Sequence, residues 1–117
     1  MPKTLKTAFL VFLGGALGSG LRFGIGLTTS QFLQLLIVNC LGTLVLGLVN
    51  GRIWPAWVSP FLGTGFAGGF TTLSGVSLLL SLSASTELPN ALALVFVMLA
   101  GGFAAYLLGL KLAGVNK

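Results

Sequence analysis

Four long apolar stretches make up most of the chain, and their spacing predicts four membrane-spanning helices. The first runs from about Leu5 to Gly26, the second from Phe32 to Asn50, the third from Val58 to Leu82 and the fourth from Pro89 to Leu110. Each is close to the ~20 residues a helix needs to cross the hydrocarbon core of a bilayer. Polar residues gather in the connections Leu27–Gln31, Gly51–Trp57 and Ser83–Leu88. Connections this short predict that consecutive helices pack as antiparallel neighbours. Lys3 and Lys6 precede the first stretch, as they would in a signal peptide. That stretch is nevertheless long, contains Arg22 and shows no clear small-residue cleavage site. The pattern predicts one transmembrane domain over residues 1–117.

Composition strengthens the membrane assignment. Of 117 residues, 56% are hydrophobic and 6% charged, with Glu87 the lone acidic residue. Soluble domains carry about 25% charged residues. A small soluble chain must also leave much of its surface in water, which this composition does not permit. The inventory excludes several chemistries. There is no His, Cys40 is a single cysteine inside an apolar run, and Glu87 has no second carboxylate beside it. Paired-carboxylate catalysis, a His–Cys zinc site and a Ser–His–Asp triad are ruled out, and the chain is read as a non-enzyme.

Charge gives an orientation. Four crossings place both termini and the second connection on one side, which then holds Lys3, Lys6, Arg52, Lys111 and Lys117. Arg22 and Glu87 fall toward the other side. Basic residues are retained in the cytoplasm, so both termini are expected there.

Glycine changes the picture again. There are 18 glycines in the chain, about twice ordinary usage. Pairs spaced four apart occur at Gly14/Gly18, Gly20/Gly24, Gly47/Gly51 and Gly65/Gly69. Such pairs let a neighbouring backbone approach closely. Four short helices offer little internal surface for so many, so the pairs suggest helix contacts within an oligomer.

The third stretch is unusual at its centre, Gly63-Thr64-Gly65-Phe66-Ala67-Gly68-Gly69-Phe70-Thr71-Thr72-Leu73-Ser74-Gly75. Consecutive glycines and threonines are poor helix material. A break at Gly68, Gly69, Phe70, Thr71 and Thr72 would free backbone carbonyls at bilayer depth, where they survive only inside protein or beside a polar cavity. A glycine-rich face on an unbroken helix is the other reading of the same residues. Asn39 lies mid-membrane, either as a hydrogen-bonded link between helices or as a donor to an anion. Arg22, near the end of the first helix, either snorkels or forms a cationic vestibule.

These landmarks resemble the small Fluc/CrcB fluoride channels along nearly the whole chain. The matching motifs are Gly14-Gly15-Ala16-Leu17-Gly18-Ser19-Gly20-Leu21-Arg22-Phe23, Val38-Asn39-Cys40-Leu41-Gly42-Thr43 and Gly65-Phe66-Ala67-Gly68-Gly69-Phe70-Thr71-Thr72-Leu73-Ser74. The resemblance implies an all-α fold of four transmembrane helices with a broken third helix. It also implies an antiparallel dimer that lets fluoride leave a prokaryotic cell passively through its plasma membrane, protecting against fluoride toxicity. It implies a structural sodium ion at the dimer interface, held by the carbonyls of Gly68 and Thr71. The implied anion path includes Asn39, Thr72, Ser74, Ser77 and Arg22. Fluoride holds its water tightly, so a dry pore must supply replacement donors, as amide and hydroxyl groups do.

The chain also departs from the family pattern. Two phenylalanine positions after the Thr-Thr pair are Leu73 and Val76, and a usual glutamate is Leu79. The fourth-helix tyrosine and serine positions are Leu94 and Met98. These aliphatic residues offer an anion no donors. Together with the uneven basic residues, they favour one fixed-orientation subunit of a heterodimer, paired with a paralogue inserted the opposite way. The rivals are a non-conducting structural subunit of such a channel and a small multidrug-resistance-type transporter. The latter needs a glutamate in its first helix, and this chain has none there.

Overall fold

The computed structural model describes residues 2–83 and 88–114, side chains excepted at 74, 79, 80, 82, 83 and 88. Helix α1 spans Lys3–Thr28 and α2 spans Gln31–Asn50. Helix α3 begins as a π-wound segment, Ser59–Ala67, and runs directly into an α-helical turn, Gly68–Phe70. Helix α4 covers Leu73–Ser83 and α5 covers Leu88–Leu112. By length and apolar composition, α1, α2 and the Pro89–Leu112 part of α5 can each cross a membrane. The third apolar stretch is divided between α3 and α4. The Glu87 side of the last connection and Lys117 lie outside the described residues.

Local chemistry sets the ends. The Ser30 hydroxyl caps α2 by accepting from the Leu33 N–H at 3.3 Å, satisfying one of the donors that a helix start leaves open. Gly51 closes α2, its N–H bonded to the Gly47 carbonyl at 2.9 Å. Gly114 follows α5 with φ +104°, the left-handed conformation that glycine adopts without a Cβ clash. Pro60 opens α3, where its missing N–H costs little.

The helices do not associate in chain order. Helix α1 packs along α3, and α2 along α5, each pair running parallel. Antiparallel packing of consecutive helices is therefore not the main contact, and glycine is the reason. Gly14 faces the Phe61 carbonyl and Phe66 N–H, and Gly18 faces Phe66 and Phe70. A methyl group on Gly65 would stand 2.7 Å from the Val11 carbonyl oxygen and 3.1 Å from the Gly14 Cα. One on Gly109 would stand 2.9 Å from the Leu48 nitrogen and 3.0 Å from the Gly47 Cα. Backbones this close admit no side chain between them. Gly14/Gly18, Gly65/Gly69 and Gly47/Gly51 are thus consumed inside the subunit, which corrects their assignment to an oligomer contact. Gly20 and Gly24 remain exposed, with open space where a Cβ would stand.

Parallel pairing gathers the start of α1, the end of α2, the start of α3 and the end of α5 at one end of the bundle. Lys3, Lys6, Arg52 and Lys111 share that end. There the Arg52 guanidinium lies 5.5 Å from the Trp54 ring centroid, and the Trp54 indole N–H donates to the Leu48 carbonyl at 3.0 Å. Tryptophan is enriched where membrane helices meet water. Burial is sparse and apolar, centred on Leu35, Val76 and Met98 with Phe32, Leu36 and Val95 around them. Large apolar side chains cover the outside instead, Phe12, Phe23, Phe96 and Phe103 among them, the surface that lipid requires. The chain is a multi-pass, all-helical membrane protein.

Candidate ion-conduction site

Helical winding in α3 continues through Phe70, and the Thr71 N–H still donates to the Ala67 carbonyl at 3.0 Å. Thr71 itself then turns extended, with φ −80° and ψ 158°. The chain resumes helical winding at Leu73. The break is therefore confined to Thr71 and Thr72. Gly68, Gly69 and Phe70, which the sequence placed within it, are helical. Their helix persists because α1 braces it: Gly69 abuts Gly15, and the Ser19 hydroxyl donates to the Gly69 carbonyl at 3.3 Å.

Helix α2 closes over the break. The Asn39 Oδ1 accepts the Thr72 N–H at 2.8 Å, and Asn39 Nδ2 donates to the Thr72 carbonyl at 3.3 Å. The side-chain amide thus pairs with Thr72 as a neighbouring strand would. The Thr43 hydroxyl, one turn along α2, bonds the carbonyls of Asn39 at 2.9 Å and Cys40 at 3.0 Å. Within the break, the Thr71 hydroxyl donates to the Ala67 carbonyl at 2.8 Å, and the Thr72 Oγ1 accepts the Gly75 N–H at 3.1 Å.

Beside the break lies a groove of about 830 Å³ running between α2, α3, α4 and α5. Its walls are mostly aliphatic, with Asn39, Thr43, Thr64, Thr71, Thr72, Ser77 and Tyr106 as the polar side chains and Gly68 also in the lining. Leu73, Val76 and Met98 also line it. Leu73 is 78% exposed, whereas Val76 and Met98 are buried together against Leu35. Leu94 is half-buried and does not line the groove. The side chains of Ser74 and Leu79 lie outside those described.

Arg22 is not brought to this groove. It is half-buried beside α2, where the Gln34 amide donates to the Arg22 carbonyl at 2.9 Å. Its Nε is buried without a hydrogen-bond partner among the described residues. Sequence reasoning missed Gln34, and it missed the bond between Asn50 Nδ2 and the Tyr106 hydroxyl at 3.1 Å, which ties α2 to α5. Each is a polar residue in or at the end of an apolar run, and that was the available signal.

Residues 9–110 match the family described as CrcB-like protein, Camphor Resistance (CrcB). The chain belongs to the CrcB family. Among curated relatives, the Fluoride-specific ion channel FluC 2 of Symbiobacterium thermophilum is 43% identical over 117 residues, 88% of this chain and 94% of that protein. The Fluoride-specific ion channel FluC of Gloeobacter violaceus is 39% identical over 114 residues, 86% of this chain and 90% of that protein. The FluC 2 of Bacillus subtilis is 44% identical over 80 residues, 62% of this chain and 61% of that protein. The break and the Asn39 bonds just described fall inside the span that matches the CrcB family.

Proposed function

We propose that this chain is a subunit of a fluoride-selective channel that exports fluoride passively from the cytoplasm and acts as no enzyme. The observation that carries this reading is the match of nearly the whole chain to CrcB proteins, whose relatives are named fluoride-specific ion channels. The groove supports it chemically. Asn39 has a second Nδ2 hydrogen beyond the one given to Thr72, and Thr72 and Ser77 bring hydroxyl groups to the same wall. Such donors replace the water a small anion must shed. Arg22, away from the groove, is cast as a cationic vestibule.

The plasma membrane of a prokaryote is the assigned location, with both termini cytoplasmic. Gathering Lys3, Lys6, Arg52 and Lys111 at one end supports that orientation. Fixed orientation in turn favours a heterodimer with a paralogous subunit inserted the opposite way, giving the inverted dimer. At its interface we place a structural sodium ion on the carbonyls of Gly68 and Thr71. The donor set fits: the Thr72 and Gly75 N–H groups that a continuous helix would give these two carbonyls are bonded elsewhere. Carbonyl ligands suit a monovalent cation, and no carboxylate is needed. When bound, the ion offsets the cost of carbonyl oxygens converging in a low-dielectric interior.

A second reading has its own observation. Leu73, Val76 and Met98 present aliphatic side chains along the groove, which favours a non-conducting subunit that stabilises a conducting partner. Fluoride efflux from liposomes separates the two readings. Efflux is expected when this chain is reconstituted with a co-expressed paralogue, and weak efflux from this chain alone. Disabling this chain's Asn39 with no change in the pair's efflux would select the structural-subunit reading.

A further inference from the structure

In an α-helix each N–H bonds the carbonyl four residues earlier. By that rule the Thr72 N–H belongs to the Gly68 carbonyl and the Gly75 N–H to the Thr71 carbonyl. Both rungs are replaced. Asn39 Oδ1 takes the first N–H at 2.8 Å, and Thr72 Oγ1 takes the second at 3.1 Å. The rung just before them, from Thr71 to Ala67, survives at 3.0 Å. Neither N–H is left unpaired, so opening the helix avoids the penalty of a buried orphan donor.

We infer that the Asn39 amide and the Thr72 hydroxyl are positioning residues of the cation site, each capturing an N–H that would otherwise close the third helix over a carbonyl ligand. This rests on the sodium reading above and deepens it. Asn39 comes from α2, so a neighbouring helix holds one rung open. Thr43 steadies that clamp through the Asn39 carbonyl at 2.9 Å. Thr72 acts locally, as a hydroxyl cap on the first turn of α4. If either acceptor is removed, the freed N–H competes with the cation for the carbonyl. Sodium must then displace a hydrogen bond before it binds.

The test is a sodium titration of thermal stability on the assembled channel purified in detergent, with N-methylglucamine replacing sodium. Thr72→Val keeps the shape and removes the acceptor; Thr72→Ser keeps the acceptor; Asn39→Ala removes the clamp. The half-maximal sodium concentration is expected to rise about tenfold in Thr72→Val and in Asn39→Ala, roughly the worth of one hydrogen bond. Thr72→Ser should restore the wild-type value. A merely structural loss lowers stability equally at every sodium concentration and leaves that midpoint in place. A Thr72→Val midpoint equal to wild type overturns the inference while the sodium site stands. A wild-type protein indifferent to sodium overturns the site and the inference together. The Thr72 pair decides the matter even if Asn39→Ala fails to assemble.

Discussion

The glycine-rich seams and the threonine break use similarly small residues to opposite effect. Along α1–α3 and α2–α5, glycines bring backbone against backbone and the helices stay wound. Gly68 and Gly69, the least helix-prone pair in the third stretch, remain helical, Gly69 packed against Gly15 and Ser19 of α1 and Gly68 exposed. At Thr71–Thr72 the helix opens because side-chain oxygens stand ready to accept its N–H groups. Low helix propensity therefore did not choose the site of the break. The availability of alternative hydrogen-bond partners did.

Substitution at the glycine seams is expected to do the most damage. Gly14→Leu or Gly109→Leu is expected to cost about 3 kcal/mol or more, since the added side chain meets backbone that cannot yield. The loss should appear as unfolding of the subunit by thermal denaturation. Folded subunits that merely fail to associate would return these glycines to an oligomer contact.

Asn39→Ala probes the break. Removing its amide withdraws both bonds to Thr72, for an expected cost of about 1–3 kcal/mol together with loss of fluoride efflux. Full efflux in this variant, measured in liposomes with the partner present, would select the non-conducting structural-subunit reading.

Aromatic replacement sharpens the contrast along the groove. Val76→Phe is expected to cost about 1–3 kcal/mol by overpacking the cluster of Leu35 and Met98. Leu73→Phe, at an exposed position, should change stability by less than about 0.5 kcal/mol. Equal costs in thermal denaturation would contradict the different burial of the two positions.

The smallest effect is predicted at Gly20 and Gly24, where a Cβ would meet no neighbouring atom within 4 Å. Alanine at either should shift stability by no more than about 0.5 kcal/mol. A drop in cross-linked assembly with subunit stability unchanged would place these two glycines in a contact between subunits.

Much of the architecture was legible in the residues themselves. Four apolar runs separated by short polar connections announce four crossings, because hydrocarbon forbids unpaired backbone and rewards long helices. The one-sided placement of Lys3, Lys6, Arg52 and Lys111 was legible too, and the parallel pairing of helices gathers them at one end. The poor helix material around Gly68–Thr72 and the lone mid-membrane Asn39 were visible as anomalies, though not as partners. Tertiary structure alone decided that Asn39 pairs with Thr72, that the break spans two residues, and that Arg22 sits away from the groove. It alone decided which glycine faces which helix. Hydropathy is a property each residue carries by itself, so it can be read along the chain. A glycine has no side chain to name its neighbour, and a backbone N–H takes whichever acceptor the fold brings within reach.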